Sequence, residues 1–164
     1  MDAITLIKKD HRTVDQLFKK FEKASGAEQK KLAKQIITEL SIHAAVEEEL
    51  VYPLMKDEEL VDEDDLLEAH EEHHIVKLSL MELQQMGPRD EGFEAKVSVL
   101  GELVRHHVKE EESSMLPKLR KLGKERLSEL AEQIIEAKAG APKKPQMGDY
   151  DRSVMVGSFG SSMQ

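Results

Sequence analysis

Apolar residues recur at every third or fourth position in four long segments of the chain, the spacing of a helix that buries one face. Each segment thus carries a stripe of residues on one helix face, and several positions in these stripes hold histidine or glutamate instead of an apolar residue. The four stripes are Ile4, Ile7, His11, Val14, Phe18 and Phe21; Leu32, Ile36, Leu40, His43, Glu47, Leu50 and Leu54; Leu67, His70, His74, Leu78 and Met81; and Phe93, Val97, Leu100, Val104, His107, Glu111 and Ser114. We therefore predict four amphipathic helices around one core.

The breaks between the stripes are short and contain helix-breaking residues, such as Ser25-Gly26 and Gly87-Pro88. Short connections make consecutive helices antiparallel neighbours. A fifth, shorter stripe over residues 127–137 follows Gly123, and the alternation typical of β-strands is nearly absent. The pattern predicts an all-α fold: an up-down-up-down four-helix bundle with a short fifth helix across one end or side and an irregular C-terminal tail.

Composition excludes several classes of protein. The 164 residues include 33 acidic and 24 basic side chains, and the net charge of −9 disfavours a phosphate-backbone partner. The absence of cysteine removes disulfides, iron–sulfur clusters and thiolate zinc sites. The N-terminal MDAITLIKKDHR does not read as a signal peptide, and no apolar run approaches the roughly 20 residues of a membrane helix. We expect a cytoplasmic protein that binds neither nucleic acid nor membranes.

Ionisable residues stand at core positions of the predicted helices. Burying such groups is costly unless they are paired, hydrogen-bonded or bound to a metal. Two glutamates each follow a histidine by four positions, as His43-x-x-x-Glu47 and His107-x-x-x-Glu111. This spacing stacks an imidazole and a carboxylate on one helix face, where they can hold one metal ion, or one ion and a bridge to a second.

A faint internal repeat relates the two halves of the chain. In IHAAVEEELVYPLMK and HHVKEEESSMLPKLR, a histidine precedes three consecutive glutamates and, ten positions on, a proline. His11 and His43 are 32 residues apart, and His74 and His107 are 33 apart. Two related helix hairpins, packed face to face, would bring two half-sites together. The repeat therefore predicts a dinuclear metal site.

Over roughly residues 4–120 this combination resembles the hemerythrin-like, HHE cation-binding family, whose known bundle is of the predicted type. The resemblance implies an oxo- or hydroxo-bridged di-iron centre, so that the cofactors would be two iron ions. By the same resemblance, the ligands would be His11 and His43 on one iron, His70, His74 and His107 on the other, and Glu47 and Glu111 as bridges. The implied domains are a di-metal bundle over 1–120, an accessory helix over 121–138 and a tail over 139–164.

Some positions leave alternatives open. Hemerythrins proper have an aspartate five residues after the last-helix histidine, so either His106 or His107 could partner Glu111, and the repeat favours His107. His73 and His106 are rotated about 100° from their neighbours and are interpreted as outer or surface residues. Tyr52 is either a phenolate near iron, if Pro53 distorts the turn after Glu47, or an ordinary packed tyrosine.

The predicted chemistry is oxidant handling. Imidazole and carboxylate ligands suit iron, manganese or zinc. The extra histidines and glutamates beside the ligands could move protons, which favours disproportionation of H2O2 or turnover of NO- and O2-derived oxidants. Some stand-alone members of the family are similar in showing catalase-like activity. The alternative is a non-enzymatic protein that binds O2 reversibly or senses iron or oxygen.

The tail after residue 139 is rich in glycine, serine and proline but carries a few larger apolar side chains. These residues are Tyr150, Val154, Met155, Val156 and Phe159. We predict that the tail docks on the bundle or on a second subunit, and in the latter case it would form a homodimer.

Overall fold

The structure of the protein is a computed structural model that describes residues 1–146. Its helices are α1 (Ala3–Lys23), α2 (Ala27–Val46), α3 (Tyr52–Asp57), α4 (Glu63–Gln84), α5 (Phe93–Glu110) and α6 (Lys124–Gly140). One π-helical turn, Glu47–Val51, continues α2 into α3, and a second, Glu111–Met115, continues α5 into a 3-10 helix at Leu116–Leu122. Residues 1–146 contain no strand, and the predicted all-α class is confirmed.

Four long helices form a closed ring. Helix α1 packs against α2 and α5, and α4 packs against the same two helices from the other side. Helix α6 lies against α1, α2 and the 3-10 helix, so it covers one end of the bundle. Within residues 1–146, no helix is long and apolar enough to cross a bilayer. The predicted docking of the tail through Tyr150 to Phe159 concerns residues outside the described part.

The hydrophobic core is divided into two separate clusters. The lower core, on the α6 side, includes Ile7, Met55 and Leu119, all nearly or fully buried. The upper core includes Phe18 and Leu80. Each of the four bundle helices places a histidine between the two clusters, namely His11, His43, His73 and His107. Helices α2 and α5 then continue into the buried glutamates Glu47 and Glu111. The fold therefore holds a polar layer between two apolar ones.

A glycine allows α1 and α5 to approach closely beside this layer. A Cβ atom at Gly101 of α5 would lie only 3.2 Å from the ring of Phe18 on α1. That separation is tighter than van der Waals contact between carbon atoms, so a larger residue would push the helices apart.

The phase predicted for α4 is wrong. Leu67, Leu78 and Met81 were expected in the core, yet their side chains are 41%, 40% and 42% exposed. The helix instead buries the stripe one residue earlier, namely Leu66, Ala69, His73, Val76, Leu80 and Leu83. Helix α4 carries apolar residues on both faces, so periodicity alone could not decide which face packs.

The two π-turns change the phase of α2 and α5. The predicted stripes continued through Leu50 and Ser114, but Leu50 is only partly buried and Ser114 is exposed. Val51 and Met115 are buried instead. A π-turn adds one residue to a helical turn, so every later side chain is rotated relative to an α-helix.

The corrected phase of α4 can be tested by paired truncations. Leu80→Ala should lower the free energy of unfolding by about 2–5 kcal/mol, because it leaves a cavity in the upper core. Leu78→Ala removes the same atoms from a side chain that is 40% exposed and should cost less than about 1 kcal/mol. Denaturant unfolding at matched metal content measures both, and equal losses would contradict the packing described.

Candidate metal centre

Two carboxylates lie at the centre of the polar layer with no exposure at all. They belong to Glu47 and Glu111, which are the first residues of the two π-turns. The backbone N–H groups of Tyr52 and Leu116 donate to the carbonyls of these glutamates five residues earlier. Such π-turns occur often at functional sites because they redirect a side chain that an α-helix would place elsewhere.

The first half-site combines imidazoles from α1 and α2 with both carboxylates. Nε2 of His11 lies 3.2 Å from Nε2 of His43, which in turn lies 3.1 Å from Glu47 Oε1. Glu111 Oε1 is 3.3 Å from His11 Nε2. One potential ligand atom from each of these four residues lies within 4.8 Å of the others.

The second half-site repeats this arrangement with α4 and α5. Nε2 of His73 lies 3.2 Å from Nε2 of His107 and 3.2 Å from Glu47 Oε1. His107 Nε2 is 3.1 Å from Glu111 Oε2. The two half-sites share Glu47 and Glu111, so both carboxylates belong to both groups of candidate ligand atoms.

Tyr52 brings its hydroxyl group into the second half-site. The hydroxyl donates a hydrogen bond of 2.7 Å to Glu111 Oε2 and lies 3.2 Å from Nε2 of both His73 and His107. The π-turn causes this placement, because it brings a residue five positions after Glu47 back onto the same face. Burial, followed by the nearby carboxylates, raises the pKa of Tyr52 well above its usual value, so the group remains a phenol.

Each imidazole is backed by a carboxylate on its outer side. Nδ1 of His11 donates to Glu112 at 2.6 Å, and that of His107 donates to Glu72 at 2.7 Å. Nδ1 of His73 donates to Glu48 at 2.8 Å. An outer carboxylate of this kind fixes the ring orientation and leaves Nε2 as the atom that can bind a metal.

Two lysines extend this arrangement away from the centre. Lys77 of α4, only 5% exposed, lies 2.6 Å from the Glu48 carboxylate that backs His73. Lys138 of α6 pairs at 2.6 Å with Asp10, whose carboxylate is 3.7 Å from Nδ1 of His43. Helix α6 therefore contributes to the surroundings of the first half-site.

The protonation of the metal-free site reflects the same charges. Burial by itself lowers the pKa of His107, but its hydrogen bonds to Glu111 and Glu72 outweigh burial and raise the pKa to about 10. The pKa of His43 is raised for the same kind of reason, chiefly by Glu47. Protons on these rings balance the buried carboxylates, and a bound cation would displace them.

A bound metal ion would satisfy the candidate ligand atoms of the two half-sites more completely than protons alone do. Glu47 Oε2 and Glu111 Oε1 are buried carboxylate oxygens that accept no hydrogen bond from the described residues. A buried polar atom without a hydrogen bond is costly, and a cation between the half-sites would satisfy both. Four imidazoles with two carboxylates, and no thiolate, are ligands that suit iron, manganese or zinc.

A small cavity, which we call the chamber, touches one imidazole from each bundle helix. Its volume is about 30 Å³. The chamber is lined by His11, Val14, Leu40, His43, Ala44, His73, Val76, Val104, His107 and Val108. A water molecule needs about 10–15 Å³ of such volume, so the chamber suits a ligand of about two heavy atoms.

The structure brings together five of the seven predicted ligands. His11, His43, Glu47, His107 and Glu111 all belong to the two half-sites. The other two, His70 and His74, do not belong to any such group among residues 1–146.

His73 occupies the position that the helical periodicity assigned to His74. The interpretation of His73 as an outer or surface residue is therefore wrong, because α4 turns the stripe of Leu66 and Leu80 inward. That stripe was the signal that could have identified His73. His106, the other residue interpreted as outer, is 65% exposed and pairs with Glu110 at 3.1 Å.

An all-helical bundle with paired histidine and carboxylate half-sites defines a class of metal-binding proteins, and sequence comparison identifies which one. The sequence profile of the hemerythrin HHE cation binding domain matches residues 2–119. The chain therefore belongs to the hemerythrin HHE cation-binding family and is a metal-binding protein.

Two relatives illustrate this similarity. The crystal structure of a hemerythrin HHE cation binding domain-containing protein, an Rv2633c homologue from Mycobacterium kansasii, matches with a TM-score of 0.72 and 26% identity. The match covers 85% of this chain and 86% of that one. A DNA nickase of Nostoc sp. is 28% identical over 141 residues, which are 85% of this chain and 40% of the relative. The chain thus spans about two fifths of that relative's length.

Metal analysis can distinguish the two neighbouring histidines of α4. His73→Ala should weaken metal binding at the second half-site by at least the 10- to 100-fold seen when outer partners of ligands are removed. His74→Ala, a matched truncation one position along, should leave the metal content of folded protein unchanged. Metal titration followed by elemental analysis measures both, and loss of metal only from the His74 variant would reverse the assignment.

The pH dependence of the metal-free protein follows from the raised pKa of His107. Its unfolded value is 6.5 and its folded value about 10, so the stabilisation is fully present below pH 6.5 and is lost as pH rises through about 10. The stability difference between the metal-free protein and its His107→Gln variant should shrink over that range. Denaturant unfolding at pH values from 6 to 10.5 measures it, and a difference that grows with pH would contradict the charge balance described.

Proposed function

We propose that the protein holds two iron ions in the two half-sites and disproportionates hydrogen peroxide to water and O2. The observation that carries this proposal is the pair of fully buried carboxylates, Glu47 and Glu111, each shared by two imidazole pairs. Carboxylates shared between the two groups would hold two ions within reach of one small molecule. A two-electron change is what each half of peroxide disproportionation requires.

The bound irons would supply the redox couple, reducing one H2O2 to two waters and oxidising the next to O2. The protein's own residues supply binding and proton handling. The Tyr52 hydroxyl, hydrogen-bonded to Glu111, is a buried neutral donor within the second half-site. A donor in this position can give a proton to a departing oxygen and recover it from the next peroxide, which is general acid–base catalysis.

The outer carboxylates support this role. Glu48, Glu72 and Glu112 each hold an imidazole through Nδ1, and all three are only partly buried. They connect the buried centre to solvent through hydrogen bonds. Protons that accompany peroxide reduction therefore have acceptors and donors on the path between the half-sites and water.

A second function is favoured by the chamber. Its walls beyond the four imidazoles are entirely apolar, and one face of the polar layer is therefore shielded from water. A dry pocket of about 30 Å³ suits reversible binding of O2 or NO, because exclusion of water slows side reactions of the bound ligand. The alternative is accordingly a protein that binds O2 or NO, or senses oxygen or iron, without turnover.

The activity named for the Nostoc relative is not part of this proposal. The matched region is only 40% of that protein, and this chain has a net charge of −9. Such a charge repels a nucleic-acid backbone.

An oxygen electrode tests the catalytic proposal. Iron-loaded protein mixed with excess H2O2 should evolve O2 over many turnovers. Tyr52→Phe keeps the ring and removes only the hydroxyl, and we expect it to lower the rate by about 10²-fold or more, the usual contribution of a general acid. Iron content and absorption spectrum of the variant serve as controls for the site itself.

The two candidate functions give different results in this experiment. A single stoichiometric spectral change without O2 evolution would reject peroxide turnover and favour the binding function. Undiminished turnover in the Tyr52→Phe variant would show that the proton donor lies elsewhere.

A further inference from the structure

A groove between α1 and α5 lies directly outside the chamber. It has a volume of about 260 Å³ and shares three of its lining residues with the chamber: His11, Val104 and Val108. Val104 and Val108 are one helical turn apart on α5, so their side chains stand side by side along the helix. The wall between the solvent-facing groove and the metal centre is therefore one imidazole and two small apolar side chains.

We propose that small ligands reach the metal centre from the α1–α5 groove, between Val104 and Val108, and that Val108 limits their passage. Val104 is only 8% exposed and belongs to the upper core, whereas Val108 is half-buried and merely packs against it. Of the two, Val108 is less constrained by neighbours and can swing aside. The proposal rests on the proposed function only in taking an iron-loaded centre as the destination.

The other cavities close to the centre fit this role less well. A cavity of about 180 Å³ beside α4 and α5 shares only His107 with the chamber, and that ring is fixed by Glu72. Its lining includes four carboxylates and no lysine or arginine, which opposes anions. A cavity of about 270 Å³ reaches Tyr52 but shares no residue with the chamber.

The charge around the α1–α5 groove defines the class of ligand. Its lining includes Arg12, Arg105 and Lys109 against Asp15 and Glu112. Arg105 is paired with Asp15 at 2.8 Å, while Arg12 and Lys109 make no ion pair with a described residue. These charged side chains form the rim of the groove. Its excess of basic over acidic residues is a local exception on a chain of net charge −9. It should admit small anions, such as azide or the hydroperoxide anion, as well as neutral two-atom ligands.

Stopped-flow absorbance with nitric oxide and reduced, iron-loaded protein tests the passage. Val108→Phe should slow NO association by about tenfold or more, because a larger side chain must be displaced from a filled wall. Val108→Ala should accelerate association. Misfolding of the Phe variant could not explain this opposite change. The affinity should change much less than the rate, since a barrier affects entry and exit alike.

Val97→Ala is the matched control for the smaller variant. Val97 is a buried valine on the same helix that lines neither the chamber nor the α1–α5 groove, so its truncation removes the same atoms without touching the passage. Its association rate should stay within about twofold of the wild type. Rates that are indifferent to both Val108 substitutions, at unchanged iron content, would overturn the proposed path.

Azide association tests the rim. The double variant Arg12→Gln with Lys109→Gln should slow azide binding at low ionic strength but leave NO binding unchanged, and the difference should vanish in high salt. Lys31→Gln with Lys34→Gln, on the exposed side of α2, carries the same charge change as a control. Equal slowing by both double variants would mean that the groove has no special role.

These outcomes separate the path from the proposed reaction. Peroxide turnover with NO rates that ignore Val108 would reject the path alone. NO rates that follow Val108 in a protein inert toward peroxide would reject catalysis alone. A protein that binds no iron would overturn both.

Discussion

Two fully buried carboxylates, those of Glu47 and Glu111, are the constraint on which the rest of the structure depends. Ionised carboxylates inside a core cost several kcal/mol each unless cations surround them. In the metal-free protein, the raised pKa values of His43, His73 and His107 supply positive charge beside the carboxylates, and the imidazoles of the site are candidate ligands for a bound cation. Around them lies a shell of outer carboxylates, and outside two of these lie Lys77 and Lys138. Charges therefore alternate in sign outward from the centre, and each shell compensates the one inside it.

The π-turns reconcile this polar layer with the two apolar cores. Each turn begins at one of the central glutamates and rotates the residues that follow. After Glu47 this rotation places Tyr52 within the site, and after Glu111 the equivalent position holds Leu116, which is fully buried in the lower core. The two halves of the repeat thus use the same distortion for different purposes. One half places a hydroxyl group in the site, and the other contributes packing to the lower core.

Helix α6 lies beyond the region matched by the family, yet it is connected to the site. Its apolar face covers the lower core through Leu127, Leu130 and Ile134. On the same helix, Lys138 holds Asp10 near His43. A helix that seals one end of a bundle can therefore also orient a candidate ligand, because the charge shells extend as far as the bundle's surface.

The sequence by itself determined the helices, the bundle class and the five potential ligands that sit on unambiguous stripes. Periodicity decides such features because each of these helices has one apolar face. Periodicity could not choose between the two apolar faces of α4. It therefore assigned the core position to His74, which also fits the repeat, instead of His73. Only the tertiary structure decided that choice, since packing against α2 and α5 directs His73 into the polar layer and leaves Leu67, Leu78 and Met81 about 40% exposed. The position of Tyr52, the outer carboxylates and the chamber likewise exist only once four helices and two π-turns are assembled, because each depends on contacts between distant parts of the chain.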